Sequence, residues 1–274
     1  MIGLFFPNRC TTGITASGGS WLAALPVTNV TTSELATVAR STNDDESSTI
    51  IRLDLGSARS LRAFAVVNHN LSSAAQWKVD LGTSSGGTQV YSGSWTPWLS
   101  ASFEAGLVAA GMEDDEYLRD GTPAIIVLPS TLSARHVTIS ISDTTNANGY
   151  VQVGRVFAGG GFIPTYNAAY GLRDSWIDLS TKEQSESGAQ WATARRRLKQ
   201  VEFVLEGLSL DEGETLHEMQ RVLGTIDEVL YVPDMNSTAT TQRYGFLGTI
   251  AEMSALEYPY HRLRRLPLRL TQKG

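Results

Sequence analysis

Short segments of alternating apolar and polar residues, separated by turn residues, fill the first 160 residues of this chain. In residues 133–143, Val137, Ile139 and Ile141 alternate with polar residues, which is the period of a strand with one buried face. Val151 and Val153 continue the alternation after a turn rich in Asn, Thr and Gly. The pattern therefore favours antiparallel strands over helices.

Four more segments of this kind precede the pair. They are residues 51–55, 61–67, 76–81 and 124–128, and the second, apolar on both faces, should lie deepest. Gly, Ser and Asn turns separate these segments, and none of them has a helical period. We therefore expect a mainly β fold whose N-terminal part is an antiparallel β-sandwich or jelly roll.

Composition limits the function classes. The chain has 274 residues, long enough for one large or two ordinary domains, and its net charge of −6 lacks the basic excess of a protein that grips phosphates. Cys10 is the single cysteine, which excludes an internal disulfide and a cysteine metal cage. The apolar start, residues 1–6, is too short for a signal peptide or a membrane span. We expect synthesis in a reducing cytoplasm and no membrane partner.

The second half has a different pattern. Residues 165–190, rich in Tyr, Ser, Gly and Gln, suggest a linker or an extended arm. A strand over residues 200–208 precedes a capping box at residues 209–212 and a helix. In that helix Leu216, Met219 and Leu223 should face the sheet, and Gly224 should end it. Further strands are expected at residues 228–232, 243–250 and 260–270.

These elements predict a division into three parts. They are a β-sandwich at 1–162, a linker or extended arm at 163–190, and a small α+β domain with one helix at 191–274. A hinge is expected at Gly159–Gly161, because the alternating pattern ends there and glycine lacks a Cβ.

Residues 51–56, 61–71, 77–82 and 134–141 resemble the galactose-binding-like, or discoidin-type, jelly roll. In that family a strand ending in Asp-Leu-Gly precedes a deep strand, as Asp54 to Gly56 does here. His136 and Thr138 depart from the family's usual residues in the strand near the end. The resemblance covers about residues 30–160, and residues 67–71 and 149–159 are more similar to versions found in bacteriophage tail proteins. It implies a carbohydrate-binding-like module.

Residues 196–208, 216–224, 229–234 and 244–248 resemble the ring-forming domain of tail tube and distal tail proteins of tailed bacteriophages. The resemblance covers about residues 190–272. Distal tail proteins commonly place the ring domain first, whereas here it comes second, so "tail structural protein" is the broader assignment. The resemblance implies a homo-oligomeric ring in the virion tail, in contact with tube and hub proteins, with DNA only as passing cargo.

No motif points to catalysis. A Gly-x-Ser-x-Gly elbow is absent, and the four histidines at positions 69, 136, 217 and 261 have no recognisable partners in sequence. We therefore expect a protein that is not an enzyme. Candidate sugar contacts are a strand-end pair and an aromatic pair, namely His69, Asn70, Trp95 and Trp98. The open alternatives are loop hydrogen bonding for His69, and packing or an interface for Trp95 and Trp98.

Acidic runs at residues 44–46 and 113–116 could supply oxygen ligands to a structural calcium, although they lack the spacing of a calcium loop. Ordinary solvated carboxylates are the favoured alternative. No other cofactor is expected.

Two basic clusters remain. The first is Arg195, Arg196 and Arg197 with Lys199, and the second is Arg262, Arg264 and Arg265 with Arg269; the six residues Arg195 to Arg197, Arg262, Arg264 and Arg265 are the candidate interface residues. Nucleic acid is one possible partner. Ion pairs between subunits are favoured, because the same domain is acidic overall and complementary charge can set the register of an interface.

The sequence thus predicts a non-enzymatic component of a phage tail, at the distal tail or baseplate, that forms a homo-oligomeric ring and carries a carbohydrate-binding-like domain. The alternative is a free-standing carbohydrate-binding module that recognises a cell-surface glycan.

Overall fold

The computed structural model describes residues 1–11, 13–100, 122–185 and 188–274, and within them the chain is mainly β. A 3-10 helix covers Val27–Thr31, and the α-helices are α1 (Leu210–Leu223) and α2 (Thr238–Tyr244). In chain order the strands are β1 (Gly3–Phe5), β2 (Thr15–Ser17), β3 (Ala39–Arg40), β4 (Ile51–His69), β5 (Gln76–Gly82), β6 (Thr96–Pro97), β7 (Ala124–Ser142), β8 (Gln152–Gly159), β9 (Arg173–Asp178), β10 (Thr181–Gln184), β11 (Gln190–Thr193), β12 (Arg197–Leu208), β13 (Val229–Val232), β14 (Phe246–Ile250), β15 (Glu257–Tyr260) and β16 (Leu263–Gln272).

The first sheet has the order β3-β8-β4-β7-β5-β6, with β2 also paired to β4, and all of its pairs are antiparallel. Strands β4 and β7 each run for 19 residues, so segments predicted as separate strands are single bent strands. One irregularity lies between Asp54 and Arg59, where Gly56 has a φ of 76°. Such a bulge lets a long strand bend, and the sheet curls into the expected β-sandwich.

The alternation in the sequence is confirmed in the core of this sandwich. Val137, Ile139 and Ile141 are each 0% exposed, and they pack with Ile51 and Trp77 in one hydrophobic cluster. Because side chains alternate across a strand, the intervening polar residues lie on the other face. Thr138 and Ser140 are nevertheless only 7% and 5% exposed, so this part of β7 is covered on both faces rather than on the one that was predicted.

The second sheet has the order β1-β13-β14-β16-β12-β9, with β15 also paired to β16. Helix α1 packs on it as predicted, since Leu216, Met219 and Leu223 share a hydrophobic cluster with residues of β12. The capping box is confirmed: the Ser209 hydroxyl accepts from the Glu212 N–H at 3.3 Å, and the Ser209 N–H donates to the Glu212 carboxylate at 2.8 Å.

A second helix, α2, lies where the sequence analysis expected the start of a strand. The Ser237 hydroxyl caps it by accepting from the Thr240 N–H at 3.2 Å, and Gly245 ends it. Three of its seven residues are threonines, whose β-branched side chains favour strands, so composition hid this helix.

The N-terminal strand belongs to the second half of the chain. Leu4 of β1 pairs with Tyr231 of β13, and Ile2 and Leu4 are buried in the same cluster as helix α1. Strand β9, within the predicted linker, pairs with β12. The structure therefore differs from the predicted division. Strands β1 and β9 were assigned to the sandwich and to the linker, but they are the two edge strands of the second sheet.

The glycines at residues 159–161 do not form the expected free hinge. The Phe162 N–H donates to the Leu4 carbonyl at 2.7 Å, which ties this segment to strand β1. A Cβ on Gly161 would lie 2.5 Å from a ring carbon of Phe5 and 2.6 Å from the Leu4 carbonyl oxygen. Glycine is needed here because two backbones approach closely.

The two halves share a hydrophobic cluster and a buried ion pair. Strand β4 contributes Ala63, Ala65 and Val67 to the cluster, and β13 contributes Leu230 and Val232. The run at residues 61–67 is thus apolar on both faces because one face covers the sandwich core and the other covers the second sheet.

The ion pair joins Arg155 of β8 to Glu228, next to β13. The guanidinium lies 2.7 Å from the carboxylate, and the side chains are 3% and 5% exposed. Lys273 and Asn8 also donate to Glu228, at 2.7 and 2.6 Å. Burial alone raises the pKa of Glu228, but these hydrogen bonds and charges outweigh it, and the net pKa lies below the ordinary value.

None of the helices in the described residues is both long enough and apolar enough to cross a membrane.

Leu216→Asp should destabilise the fold by about 3 kcal/mol or more, because it buries a carboxylate in the cluster between helix and sheet. Val222→Asp is the matched control on the same helix, since Val222 is 49% exposed, and it should cost less than about 1 kcal/mol. Urea unfolding of the full chain, followed by tryptophan fluorescence, measures both. Equal effects of the two substitutions would contradict this packing of the helix.

Glu228→Gln should cost about 3–5 kcal/mol at neutral pH, because it leaves the Arg155 charge buried without a counter-charge. The lowered pKa adds a pH dependence: the stability from Glu228 is present above about pH 4.5, and it is lost as the pH falls through the lower folded-state pKa. The variant should lack this part of the acid sensitivity. Glu202→Gln removes an exposed partner of Arg269 and should cost about 1 kcal/mol or less. A Glu228→Gln chain as stable as the wild type at pH 7 would refute the role given to this pair.

Candidate functional site

Two of the predicted sugar contacts pack against each other. Trp98 is 1% exposed, and its indole N–H donates to the Ser72 carbonyl. His69 meets the Trp98 ring edge to face at 4.7 Å, and burial lowers the pKa of His69 to about 4. The imidazole is therefore neutral near pH 7, and Trp98 does not present a ring face at the surface.

Asn70 holds the backbone of strand β8 and the loop before it. Its amide nitrogen donates to the Tyr150 carbonyl at 3.0 Å, and its amide oxygen accepts from the Gln152 N–H at 2.6 Å. Both polar atoms of the Asn70 amide are thus engaged by the backbone.

Trp95 is half-buried at the edge of the sandwich, whereas Trp98 is buried. The Lys78 ammonium lies 5.1 Å from the centre of the Trp95 ring, and Lys78 also pairs with Asp80 at 3.6 Å. The two tryptophans thus do not form the shared platform suggested by the sequence, because one side chain points inward. A sugar-binding role for these residues stays a prediction, and Trp95 keeps exposed surface for it.

The two basic clusters lie at opposite ends of strand β12. Arg197 begins the strand, whereas Arg264 on β16 pairs with Leu208 at its far end. At about 3.3 Å per residue the ends of β12 are roughly 36 Å apart, so the clusters do not form one basic surface.

Several of these arginines are held within the chain. Arg265 contacts Glu206 at 3.0 Å and Glu257 at 3.1 Å, and Arg264 lies 4.1 Å from the centre of the Tyr258 ring. Arg196 is half-buried, while Arg195, Arg197 and Arg262 are exposed. An interface role for the six arginines stays a prediction, and the exposed three have side chains in solvent.

A hairpin projects from the second half of the chain where only a linker or an extended arm was predicted. We call residues 179–185 and 188–193 the hairpin arm. Strands β10 and β11 pair only with each other, from Thr181 opposite Thr193 to Gln184 opposite Gln190, and all eight of their residues are exposed. With both faces in solvent the arm has no hydrophobic alternation to reveal it. Its exposed apolar side chains are Leu179, at 45%, and Trp191, at 53%.

Exposed apolar residues are concentrated in the second half of the chain. Among the described residues, fourteen of the sixteen exposed large hydrophobic side chains lie between residues 166 and 263, while the sandwich contributes Leu22. Strand β9, which bears Trp176 at 52% exposure, is also the edge of its sheet. Exposed apolar residues beside an open strand edge are typical of an association surface.

The described residues contain no group of three or more His, Cys, Asp or Glu side chains placed to hold a metal ion. The acidic run at residues 113–116 lies outside the described residues, so its calcium hypothesis has no structural counterpart here. Cys10 is buried, and burial raises the pKa of its thiol to about 12, so it is not a nucleophile near neutral pH.

No protein-family model matches the chain, and no curated protein matches it in sequence. Among solved structures, the family 32 carbohydrate-binding module of Clostridium perfringens NanJ, in complex with galactose, is 10% identical with a TM-score of 0.38. The match covers 58% of this chain and 98% of that module. A mutant of the lectin binding domain of lectinolysin, complexed with Lewis b, is 14% identical with a TM-score of 0.40, and the match covers 57% of this chain and 98% of that domain.

A family 89 glycoside hydrolase from Clostridium perfringens is 12% identical with a TM-score of 0.38, and the match covers 59% of this chain but 16% of the enzyme. Scores of this size do not decide what the present chain binds. None of the three neighbours is a phage tail protein, so the tail assignment rests on the sequence resemblance.

Proposed function

We propose that this chain is a non-enzymatic assembly protein that binds further copies of itself through the hairpin arm and the adjoining strand β9. The hairpin arm carries the proposal. A two-stranded hairpin with both faces in water is at best marginally stable, so a partner surface that covers it would stabilise it. Most soluble oligomers are built from copies of one chain.

Helix α1 offers a matching surface on a second copy. Its outer side and the turn after it expose Leu210, Val222 and Ile226, at 43%, 49% and 81%. Asp211 and Glu214 lie exposed on the same helix, whereas the base of the arm carries Arg195 and Arg197. Apolar contact with complementary charge favours docking of the arm of one copy on helix α1 of the next. A head-to-tail contact of this kind closes into a ring when its rotation permits.

The more specific proposal is a ring at the distal tail or baseplate of a tailed phage, with tube and hub proteins as neighbours. It rests on the resemblance of residues 190–272 to tail ring domains. In such a ring the sandwich would point away from the ring, and DNA would be cargo in the channel rather than a ligand.

The full chain should form oligomers whose masses are multiples of 29.7 kDa in sedimentation velocity. Leu179→Ser combined with Trp191→Ser should weaken association by about tenfold or more, because both changes remove apolar surface from the arm. Leu22→Ser is the matched control on the sandwich, where a 38% exposed leucine is lost, and it should leave association unchanged. A wild-type chain that stays monomeric at every concentration, or a double variant that assembles normally, would refute this function.

A second candidate function is recognition of a cell-surface glycan by the sandwich, as the alternative from the sequence states. Trp95 is the observation in its favour, since it is only half-buried and the Lys78 ammonium lies 5.1 Å from the centre of its ring. Aromatic faces beside such groups suit sugar rings.

A glycan array that includes galactose and Lewis b, probed with the full chain, tests this candidate. Trp95→Ala should abolish selective binding, whereas Leu22→Ser should preserve it. An array without selective binding, or binding that survives Trp95→Ala, would argue against a site at Trp95.

A further inference from the structure

A cavity of about 570 Å³ opens in the second half of the chain, where strands β9, β12 and β13 meet helix α2. Ile2, Val201 and Pro233 give it apolar walls, and Tyr170 and Tyr244, which are both exposed, add aromatic rings. Its volume lies within the usual range of small-molecule sites, about 300–1,000 Å³. None of the site residues predicted from the sequence lines it.

Tyr231 of strand β13 also lines this cavity, and the environment of its hydroxyl is unusual. The side chain is 1% exposed, and its ring is fixed between Phe203, at 5.7 Å, and Phe246, at 5.4 Å. Within the described part of the chain the Tyr231 hydroxyl has no hydrogen-bond partner. A buried hydroxyl without a partner destabilises the fold, and a bound group that accepts its hydrogen bond would recover that loss.

Asp174 of strand β9 lines the same cavity, opposite Val201 in the register of β9 with β12. Burial raises the pKa of the Tyr231 phenol, and the nearby Asp174 charge raises it further, so the phenol stays a proton donor. Partial burial also raises the pKa of Asp174 itself. The Asp174 carboxylate, a hydrogen-bond acceptor, thus lies near the Tyr231 hydroxyl, a donor, but does not accept a hydrogen bond from it.

A ligand that satisfies both groups must accept a hydrogen bond from Tyr231 and donate one to Asp174. An ammonium or guanidinium group cannot accept, and an anion would be repelled by the carboxylate. A hydroxyl group does both. Tyr170 and Tyr244 can stack on the apolar face of a hydroxylated ring.

We infer that this cavity binds a pyranose ring, one hydroxyl of which bridges Tyr231 and Asp174. The site lies on the second sheet rather than on the sandwich, and through Asp174 it shares strand β9 with the proposed self-association surface.

Saturation-transfer NMR on the full chain tests the inference, with the methyl pyranosides of glucose, galactose, mannose and N-acetylglucosamine as probes. At least one probe should bind. Tyr231→Phe and Asp174→Asn should each weaken that binding by about tenfold or more, because each removes one side of the bridge.

Tyr231→Phe also separates binding from stability. Loss of an unpaired buried hydroxyl should leave the Tm unchanged or raise it, so weaker binding could not be ascribed to unfolding. Tyr258→Phe, at a 66% exposed tyrosine outside the cavity, and Trp95→Ala on the sandwich should both bind like the wild type. The inference is overturned if none of the four sugars binds, or if binding survives both cavity substitutions. Binding that is lost in Trp95→Ala alone would also overturn it, because the sugar would then sit on the sandwich.

Discussion

The carboxylate of Glu228 draws together the parts of the chain that are farthest apart in sequence. Asn8, Arg155 and Lys273 all donate to it, so both ends of the chain and both sheets meet at one buried anion. An almost fully buried charge is tolerated only with its partners in place, so the two sheets cannot separate here without a large cost. The apolar cluster that contains Phe5 also takes residues from both sheets and extends the contact between them. The sandwich and the second sheet are therefore held in a fixed relation.

The sequence predicted what local patterns encode. The alternating strands, the capping box at Ser209 and the buried face of helix α1 follow from neighbouring residues, and all were confirmed. Strand β1 was missed because its partner lies more than 220 residues away, and three apolar residues carry no record of that pairing. Composition gave no sign of which way Trp98 points or that the arm stands free. The cavity beside Tyr231 could not be predicted from the sequence either, because the segments that line it are remote from each other in the chain.

The surfaces of the two halves of the chain differ. The described residues of the sandwich include few exposed large apolar side chains, and its interior explains most of its sequence pattern. The second half carries an open strand edge, a free hairpin and most of the exposed apolar surface, all of which favour association. Because the joint between them is buried and charged, an oligomer formed by the second half would display every sandwich in a defined orientation. That is the property expected of a scaffold that presents a recognition module.

Differential scanning calorimetry of the full chain tests this joint most directly. If the sheets form one cooperative unit, a single transition should appear, with a calorimetric enthalpy equal to the van't Hoff enthalpy. Two separate transitions, assignable to the sandwich and to the second sheet, would contradict the fixed relation between them and with it the ordered display of the sandwich.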